Sequence, residues 1–76
     1  MARVYLLGNV LPGKEVSVRD LCRGIKGVMQ ADVITGHYDL AVVIEANSTS
    51  EIFDKIMKNI RKIKGLTRTE TFVAIE

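Results

Sequence analysis

The sequence has little of what most catalytic and metal sites are built from. Its 76 residues include one cysteine, one histidine, one proline and no tryptophan, and aromatic residues make up 5%. The single cysteine, Cys22, excludes an internal disulfide and a cysteine cluster for a metal ion. No serine has a neighbouring base of the kind that nucleophilic catalysis requires. We therefore expect a cytoplasmic protein with no enzymatic activity, no metal and no cofactor.

Long apolar runs and a strong net charge are also missing. The longest apolar run, 40–44, is too short to span a bilayer, and the first residues show no signal-peptide pattern. With 11 basic and 9 acidic residues, the net charge of +2 does not by itself indicate nucleic-acid binding. The length suits one domain, residues 1–76, without a helix-turn-helix domain. We expect neither direct DNA binding nor a membrane partner.

What the sequence does contain is an internal repeat. Ile25-Lys26-Gly27-Val28 returns 38 residues later as Ile63-Lys64-Gly65-Leu66, and the chain is twice that offset in length. The repeat predicts two similar halves, each with the order strand, helix, strand. The same offset pairs apolar positions: Val4 with Val42, Leu6 with Ile44, Val18 with Ile56, and Cys22 with Ile60.

Apolar spacing locates the strands and the first helix. Strands are predicted over 3–10, 28–35, 39–46 and 67–76. Gly27 is expected to end the first helix as a left-handed cap. The apolar stripe of that helix consists of Val18, Leu21, Cys22 and Ile25.

The second helix begins with the spacing of a capping box, in which Ser48 accepts from backbone N–H groups and Glu51 reaches back. Gly65 is expected to end this helix. Its apolar stripe consists of Ile52, Ile56, Ile60 and Ile63, widened by Phe53 and Met57. The opposite, basic face consists of Lys55, Lys58, Arg61 and Lys62; it is either solvated or a surface for phosphates.

This order of elements predicts an α+β, ferredoxin-like βαββαβ fold: a four-stranded antiparallel sheet with two helices on one face. The first and third strands are apolar on both faces, so we expect them, as a parallel pair, at the centre of the sheet. The more polar second and fourth strands belong at the edges. Because the helices cover one face only, we expect the other face to pack against a second subunit.

The most distinctive segment is Thr35-Gly36-His37-Tyr38-Asp39-Leu40. Gly36 permits a turn with positive φ, and Tyr38 offers a rigid wall with a hydroxyl tip. Asp39 can accept hydrogen bonds from backbone N–H groups or from an ammonium. On chemistry alone, the segment is equally well a plain hairpin that Asp39 stabilises.

A second polar segment opens the last strand, at 67–71. Alternation places Thr67, Thr69 and Thr71 on one face of this strand and Arg68 and Glu70 on the other. Threonines suit an edge strand, so this segment is either structural or part of a site.

These motifs resemble those of the leucine-responsive regulator/asparagine regulator (Lrp/AsnC) family. Gly36-His37-Tyr38-Asp39 is similar to the family's Gly-x-aromatic-Asp turn. The two Ile-Lys-Gly-aliphatic helix ends resemble its Ile-Pro-Gly-Val pair, and Thr69-Glu70-Thr71 resembles the start of its last strand. The resemblance covers essentially the whole chain and corresponds to the family's C-terminal effector-binding (RAM) domain.

The resemblance implies a transcription-regulation module that forms dimers through its sheets and assembles into larger rings such as octamers. It implies a small amino-acid effector bound between neighbouring dimers, and full-length Lrp/AsnC regulators as partners in mixed assemblies. Carried over to this sequence, the ligand-binding residues are Gly36, Tyr38, Asp39, Thr69 and Thr71. Asp39 would pair with the effector's ammonium, and the Gly36 turn and the threonines would donate to its carboxylate.

Three alternatives stay open. A small ferredoxin-like enzyme would need an activated group in a cleft. An ACT-type regulatory domain shares the strand order, although the placement of Gly36-His37-Tyr38-Asp39 favours the Lrp/AsnC family. A nucleic-acid binder would use the basic face of the second helix.

Overall fold

The structure, a computed structural model, describes residues 1–75 and has the predicted ferredoxin-like βαββαβ order. The second helix, α2, consists of three consecutive segments. None of the helices formed by the described residues is long and apolar enough to cross a membrane. The elements are β1 (Ala2–Val10), α1 (Glu15–Arg23), β2 (Val28–Val33), β3 (Leu40–Ala46), α2 (Thr49–Glu51, Ile52–Ile56 and Met57–Arg61) and β4 (Leu66–Val73).

The four strands form one sheet in the order β2-β3-β1-β4, so β1 and β3 are central as predicted. The expectation that these two strands run parallel is wrong, because all three neighbouring pairs are antiparallel. The crossover through α1 returns β2 in the direction of β1, and the tight β2–β3 connection then reverses the chain. β3 therefore enters the sheet between β1 and β2 in the opposite direction to both.

The helices end earlier than predicted. α1 ends at Arg23 with Gly24 as its C-cap, and α2 ends at Arg61. Gly27 and Gly65 lie beyond the helices, with φ of 102° and 101°, and turn the chain into β2 and β4. Their nearly equal φ values at equivalent positions confirm the internal repeat.

The core lies between the sheet and the two helices, and the repeat-related pairs named above are all buried in it. Cys22 is a core residue. Leu21, which the apolar stripe assigns to this core, is 57% exposed, because α1 contacts the sheet mainly through Val18 and Cys22. The buried apolar residues are Val4, Leu6, Val10, Val18, Cys22, Ala31, Leu40, Val42, Ile44, Ile52, Ile56, Met57 and Ile60.

The face of the sheet away from the helices is uncovered in one protomer; we call it the open face. It carries Tyr5 (39% exposed) and Phe72 (44% exposed), and Leu7 and Val43 are only half-buried. Strand pairing also places Ala41, Arg68 and Glu70 on this face. As predicted, one side of the sheet lacks a packing partner within the protomer.

The start of α2 follows the predicted capping chemistry in part. The Ser48 Oγ accepts a hydrogen bond from the Glu51 N–H at 3.1 Å, and Ser48 itself has extended backbone angles. No return bond from the Glu51 carboxylate forms among residues 1–75. The middle of α2, Ile52–Ile56, is π-helical, which the sequence pattern did not indicate. This wider turn lets Ile56 and Met57, although adjacent, both face the core.

We predict that Ser48→Ala lowers the free energy of unfolding by about 0.5–2 kcal/mol, because it leaves the Glu51 N–H without its capping acceptor. Chemical denaturation monitored by circular dichroism would measure this change. Ser50→Ala, in the same exposed first turn, is the matched control and should change stability by far less. Equal midpoints for the two variants would contradict the cap.

Candidate functional site

The connection between β2 and β3, residues 34–39, forms a turn that we call the Gly36 turn. Gly36 has a φ of 134°, a value that side chains with a Cβ rarely adopt, and it is exposed with open space around it. The backbone conformation, rather than crowding, therefore requires glycine at this position. Within this turn His37 is exposed and Tyr38 is half-buried.

Asp39 ties the Gly36 turn to the central strand β1. Its N–H donates to the Gly8 carbonyl at 2.9 Å, and its carboxylate Oδ2 accepts from the Val10 N–H at 2.9 Å. The Asp39 carbonyl accepts from the Ile34 N–H, also at 2.9 Å. Asp39 thus acts as a structural brace, while its other carboxylate oxygen, Oδ1, has no hydrogen bond within residues 1–75.

Tyr38 extends from the Gly36 turn across β1 to β4. Its hydroxyl donates a hydrogen bond to the Glu70 carboxylate, which raises the pKa of Tyr38 above its usual value. Leu7 of β1, paired with Ala41 on one side and Glu70 on the other, lies between the two strands. The Tyr38–Glu70 contact therefore lies at the rim of the open face.

Thr69 and Thr71 lie on the face of β4 that is opposite to Glu70. Thr69 and Thr71 are paired with Gly8 and Leu6, whose side of β1 faces the helices. Thr67 lies at a register shift, where its hydroxyl donates to the Asn9 carbonyl at 3.2 Å, so the predicted alternation holds only from Arg68 onward. The structure therefore brings Gly36, Tyr38 and Asp39 together, but it places Thr69 and Thr71 on the opposite face of the sheet from the Tyr38–Glu70 contact.

Two polar side chains at this site were not selected from the sequence. Asn9 donates from Nδ2 to the His37 carbonyl at 2.9 Å and anchors the Gly36 turn from β1. Glu70 receives the Tyr38 hydroxyl. The alternation of β4 had placed Glu70 on the face opposite the threonines, but no local pattern shows that Tyr38 crosses β1 to reach it.

The chemistry of this cluster suits recognition of a cation. It offers the free Asp39 Oδ1, the Glu70 carboxylate and the Tyr38 hydroxyl at one end of the sheet, with the positive charge of Arg68 close to Tyr38. A carboxylate that already accepts a backbone N–H is fixed in position, which favours a second, charge-assisted bond to an ammonium. Within residues 1–75, no group of three or more histidine, cysteine, aspartate or glutamate side chains could hold a metal ion.

Comparison with known proteins identifies the family of this chain. The profile of the family described as "Lrp/AsnC ligand binding domain" matches residues 14–76. The chain belongs to the Lrp/AsnC ligand-binding-domain family. The resemblance seen in the motifs is thereby confirmed, and domains of this family bind small effectors and oligomerise.

Solved structures agree with the assignment to the Lrp/AsnC family. The chain is 31% identical to FFRP-DM1, whose crystal structure it matches with a TM-score of 0.90 over 99% of this chain and 100% of that chain. It is 30% identical to the hypothetical protein PHS023 from Pyrococcus horikoshii, with a TM-score of 0.91 over 100% and 92% of the two chains.

One curated relative is an enzyme. A homocitrate synthase from Sulfurisphaera tokodaii is 38% identical over 53 residues, which are 70% of this chain but 11% of the enzyme. The chain therefore spans about a tenth of the length of that relative. The Lrp/AsnC domains are regulatory ligand-binding domains, and so short a shared segment does not extend the enzyme's activity to this chain.

We predict that Glu70→Gln lowers the pKa of Tyr38 toward the usual tyrosine value of about 10, because a neutral amide stabilises the protonated hydroxyl less than a carboxylate does. The pKa would be measured from tyrosinate absorbance in a Tyr5→Phe background, so that Tyr38 alone titrates. Because the folded-state pKa is the raised one, the contribution of this contact to stability is present below pH 10 or so and is lost as the pH rises through the folded-state pKa.

Asp54→Asn, on the exposed side of α2, is the control for this titration and should leave the Tyr38 pKa in place. If Glu70→Gln and Asp54→Asn give the same titration curve as the parent, Tyr38 does not contact Glu70 in solution.

Proposed function

We propose that this chain is a regulatory module that binds a small amino acid at a boundary between subunits and thereby changes its own assembly or its choice of partner. Membership of the Lrp/AsnC ligand-binding-domain family is the observation that carries this proposal. The cluster formed by Tyr38, Asp39 and Glu70 supports it, because this cluster presents acceptors at the rim of the uncovered face.

The amino acid would place its ammonium against the free oxygen of Asp39, beside the Tyr38 hydroxyl. Its carboxylate would receive hydrogen bonds from the backbone of the Gly36 turn, whereas the hydroxyls of Thr69 and Thr71, on the helix-facing side of β4, would reach it only from a neighbouring subunit. The Gly36 turn lines neither the cavity of about 670 Å³ nor the cavity of about 400 Å³, which lie elsewhere on the protomer. We therefore expect a neighbouring subunit to complete the enclosure that small ligands need.

The open face would provide the primary contact between subunits. A stable interface buries about 1,600 Å² in total, and a domain this small gains much of its apolar burial from such a partner. Tyr5, Leu7, Val43 and Phe72 give this face an apolar centre, with the charged Arg68 and Glu70 toward one end. Dimers built in this way would join into larger rings such as octamers, with the Gly36 turns near the contacts between dimers.

Full-length Lrp/AsnC regulators are the partners that we propose. Because this chain has the same kind of sheet as those regulators, it could replace some of their subunits in a mixed assembly. The mixed assembly would then contain fewer DNA-binding domains. The homocitrate synthase segment supports a second candidate, in which the module controls a metabolic enzyme instead of a DNA-binding protein. Native mass spectrometry of the pure chain with each candidate partner would separate the two.

Light scattering with and without each of the twenty amino acids tests the proposed function directly. We expect one amino acid, or a few related ones, to change the mean mass of the assembly. A mass that none of the twenty changes, together with calorimetry showing no heat of binding, would refute the proposal.

Asp39→Asn should weaken binding of the active amino acid about ten- to a hundredfold, because one charge-assisted hydrogen bond is worth about 1.5–3 kcal/mol. The asparagine side-chain oxygen can still accept from the Val10 N–H, so unfolding stability should fall by only about 1 kcal/mol or less. Titration calorimetry and thermal unfolding of the same variant measure both quantities. If the variant is destabilised but binds the amino acid with full affinity, Asp39 stabilises the turn and does not bind the ligand.

Val43→Lys should convert the assembly into monomers, because it places an unpaired charge at the centre of the open face. Sedimentation velocity at micromolar concentration measures this change. Val16→Lys is the matched control, since Val16 is 56% exposed on α1 and lies away from the open face. A parent protein that sediments as a stable monomer would show that the open face has no partner.

A further inference from the structure

A cavity of about 670 Å³ lies at the end of the sheet opposite to the Gly36 turn. Its walls are the loop 24–27 after α1, the end of β3 and one side of α2. Leu40 adjoins the Gly36 turn and Ala46 lines the cavity, so the length of β3 separates the two places by about 20 Å at 3.3 Å per residue. The cavity is therefore distinct from the site described above.

Local backbone features form this cavity. Gly27 has a φ of 102°, which side chains with a Cβ rarely adopt, and a Cβ there would also lie 2.4 Å from the Ile56 Cδ1, so glycine suits the place where the loop packs against α2. Gly24, which also lines the cavity, contributes no side chain. The Gly27 carbonyl accepts from the Glu45 N–H at 2.9 Å and fixes the loop to β3. On the opposite wall, Ile56 belongs to the π-helical segment, a feature that is frequent at functional sites.

The charges around this cavity are not balanced within the protomer. Glu45 is neutralised by Arg3, whose Nε donates to its Oε2 at 2.7 Å. Lys26 and Lys55, both exposed, make no ion pair with any other described residue. Glu51, one helical turn before Lys55, is the remaining carboxylate of the lining. Two lysine side chains and Met1, which carries the N-terminal ammonium, thus line the cavity beside one carboxylate without an ion pair among residues 1–75.

The remaining lining is chiefly hydrocarbon. Ile25, Ala46 and Ile56 supply an apolar wall, and the Asn59 amide adds a donor and an acceptor on the α2 side. A cavity of this size, apolar with a few convergent polar groups, is typical of small-molecule sites. Lysines act as separate point charges rather than as the planar fork of arginine, and the apolar wall can hold an aliphatic chain, so the lining favours an aliphatic carboxylate over inorganic phosphate.

We propose that this cavity binds a small organic acid, with its carboxylate at Lys26 and Lys55 and its aliphatic chain against Ile25 and Ile56. The site does not depend on the proposed function of the Gly36 turn. An organic acid bound here would bridge the loop 24–27 and α2, and would hold together the two elements that the Gly27–Ile56 contact already joins.

Nuclear magnetic resonance of the isotopically labelled chain, titrated with glutarate, tests this site. Glutarate should shift the amide resonances of Gly24 and Gly27, and its neutral analogue glutaramide should not. The double variant Lys26→Gln/Lys55→Gln should weaken glutarate binding at least about tenfold, since each lost charge removes a charge-assisted bond. Lys58→Gln/Lys62→Gln, exposed on and just after the same helix outside the cavity lining, is the matched control and should retain binding.

Three results would overturn the proposal. Glutarate at millimolar concentration could shift no resonance of the loop 24–27. The control variant could lose as much affinity as the cavity variant, which would indicate diffuse attraction to a basic surface. The shifts could instead centre on Gly36 and disappear in Asp39→Asn, which would assign the binding to the Gly36 turn. Conversely, glutarate binding that survives Asp39→Asn supports this site even if the amino-acid proposal fails.

Discussion

The attachment of the Gly36 turn to β1 through Asp39 is the interaction on which the rest of the site depends. Two backbone groups of β1, the Gly8 carbonyl and the Val10 N–H, are held by one residue of the turn. This fixes the register between β1 and β3 at their shared end and directs Tyr38 across β1 to Glu70. The Asp39 carboxylate thus has two roles. Its Oδ2 holds the turn on β1, and its Oδ1 is the proposed acceptor for the ligand.

The uncovered sheet face imposes the second constraint. Both helices pack on one side of the sheet, so the apolar centre around Tyr5 and Val43 on the other side stays exposed to water in a single protomer. The Tyr38–Glu70 contact lies at the rim of that face. In the proposed assembly, a ligand that moved Tyr38 would therefore act on the boundary of the contact between subunits, and no long pathway through the core would be needed to couple binding to assembly.

Local patterns were sufficient to predict the order of elements, the central strands, the Ser48 cap and the repeat-related core positions. Each of these follows from spacing along a few residues. The direction of β1 relative to β3, the register shift beside Thr67 and the Tyr38–Glu70 contact depend on how distant segments pair, and they were misjudged or missed. The π-helical turn at Ile52–Ile56 was missed for a similar reason, because Ile56 and Met57 both pack into a core that the helix alone does not define.

The internal repeat explains why the cavity forms at one end of α2. Gly27 packs against Ile56, while Gly65, its equivalent 38 residues later, packs against Val18, which is the equivalent of Ile56. Each half therefore places its glycine turn on the helix of the other half. Beside Gly65 the stem of Lys14 fills the adjacent space, with its Cβ 3.3 Å from where a Cβ on Gly65 would lie, whereas Gly27 borders an open cavity. The two copies of this packing arrangement therefore differ. The copy at Gly65 is filled by the stem of Lys14, and the copy at Gly27 leaves a cavity bordered by Lys26 and Lys55.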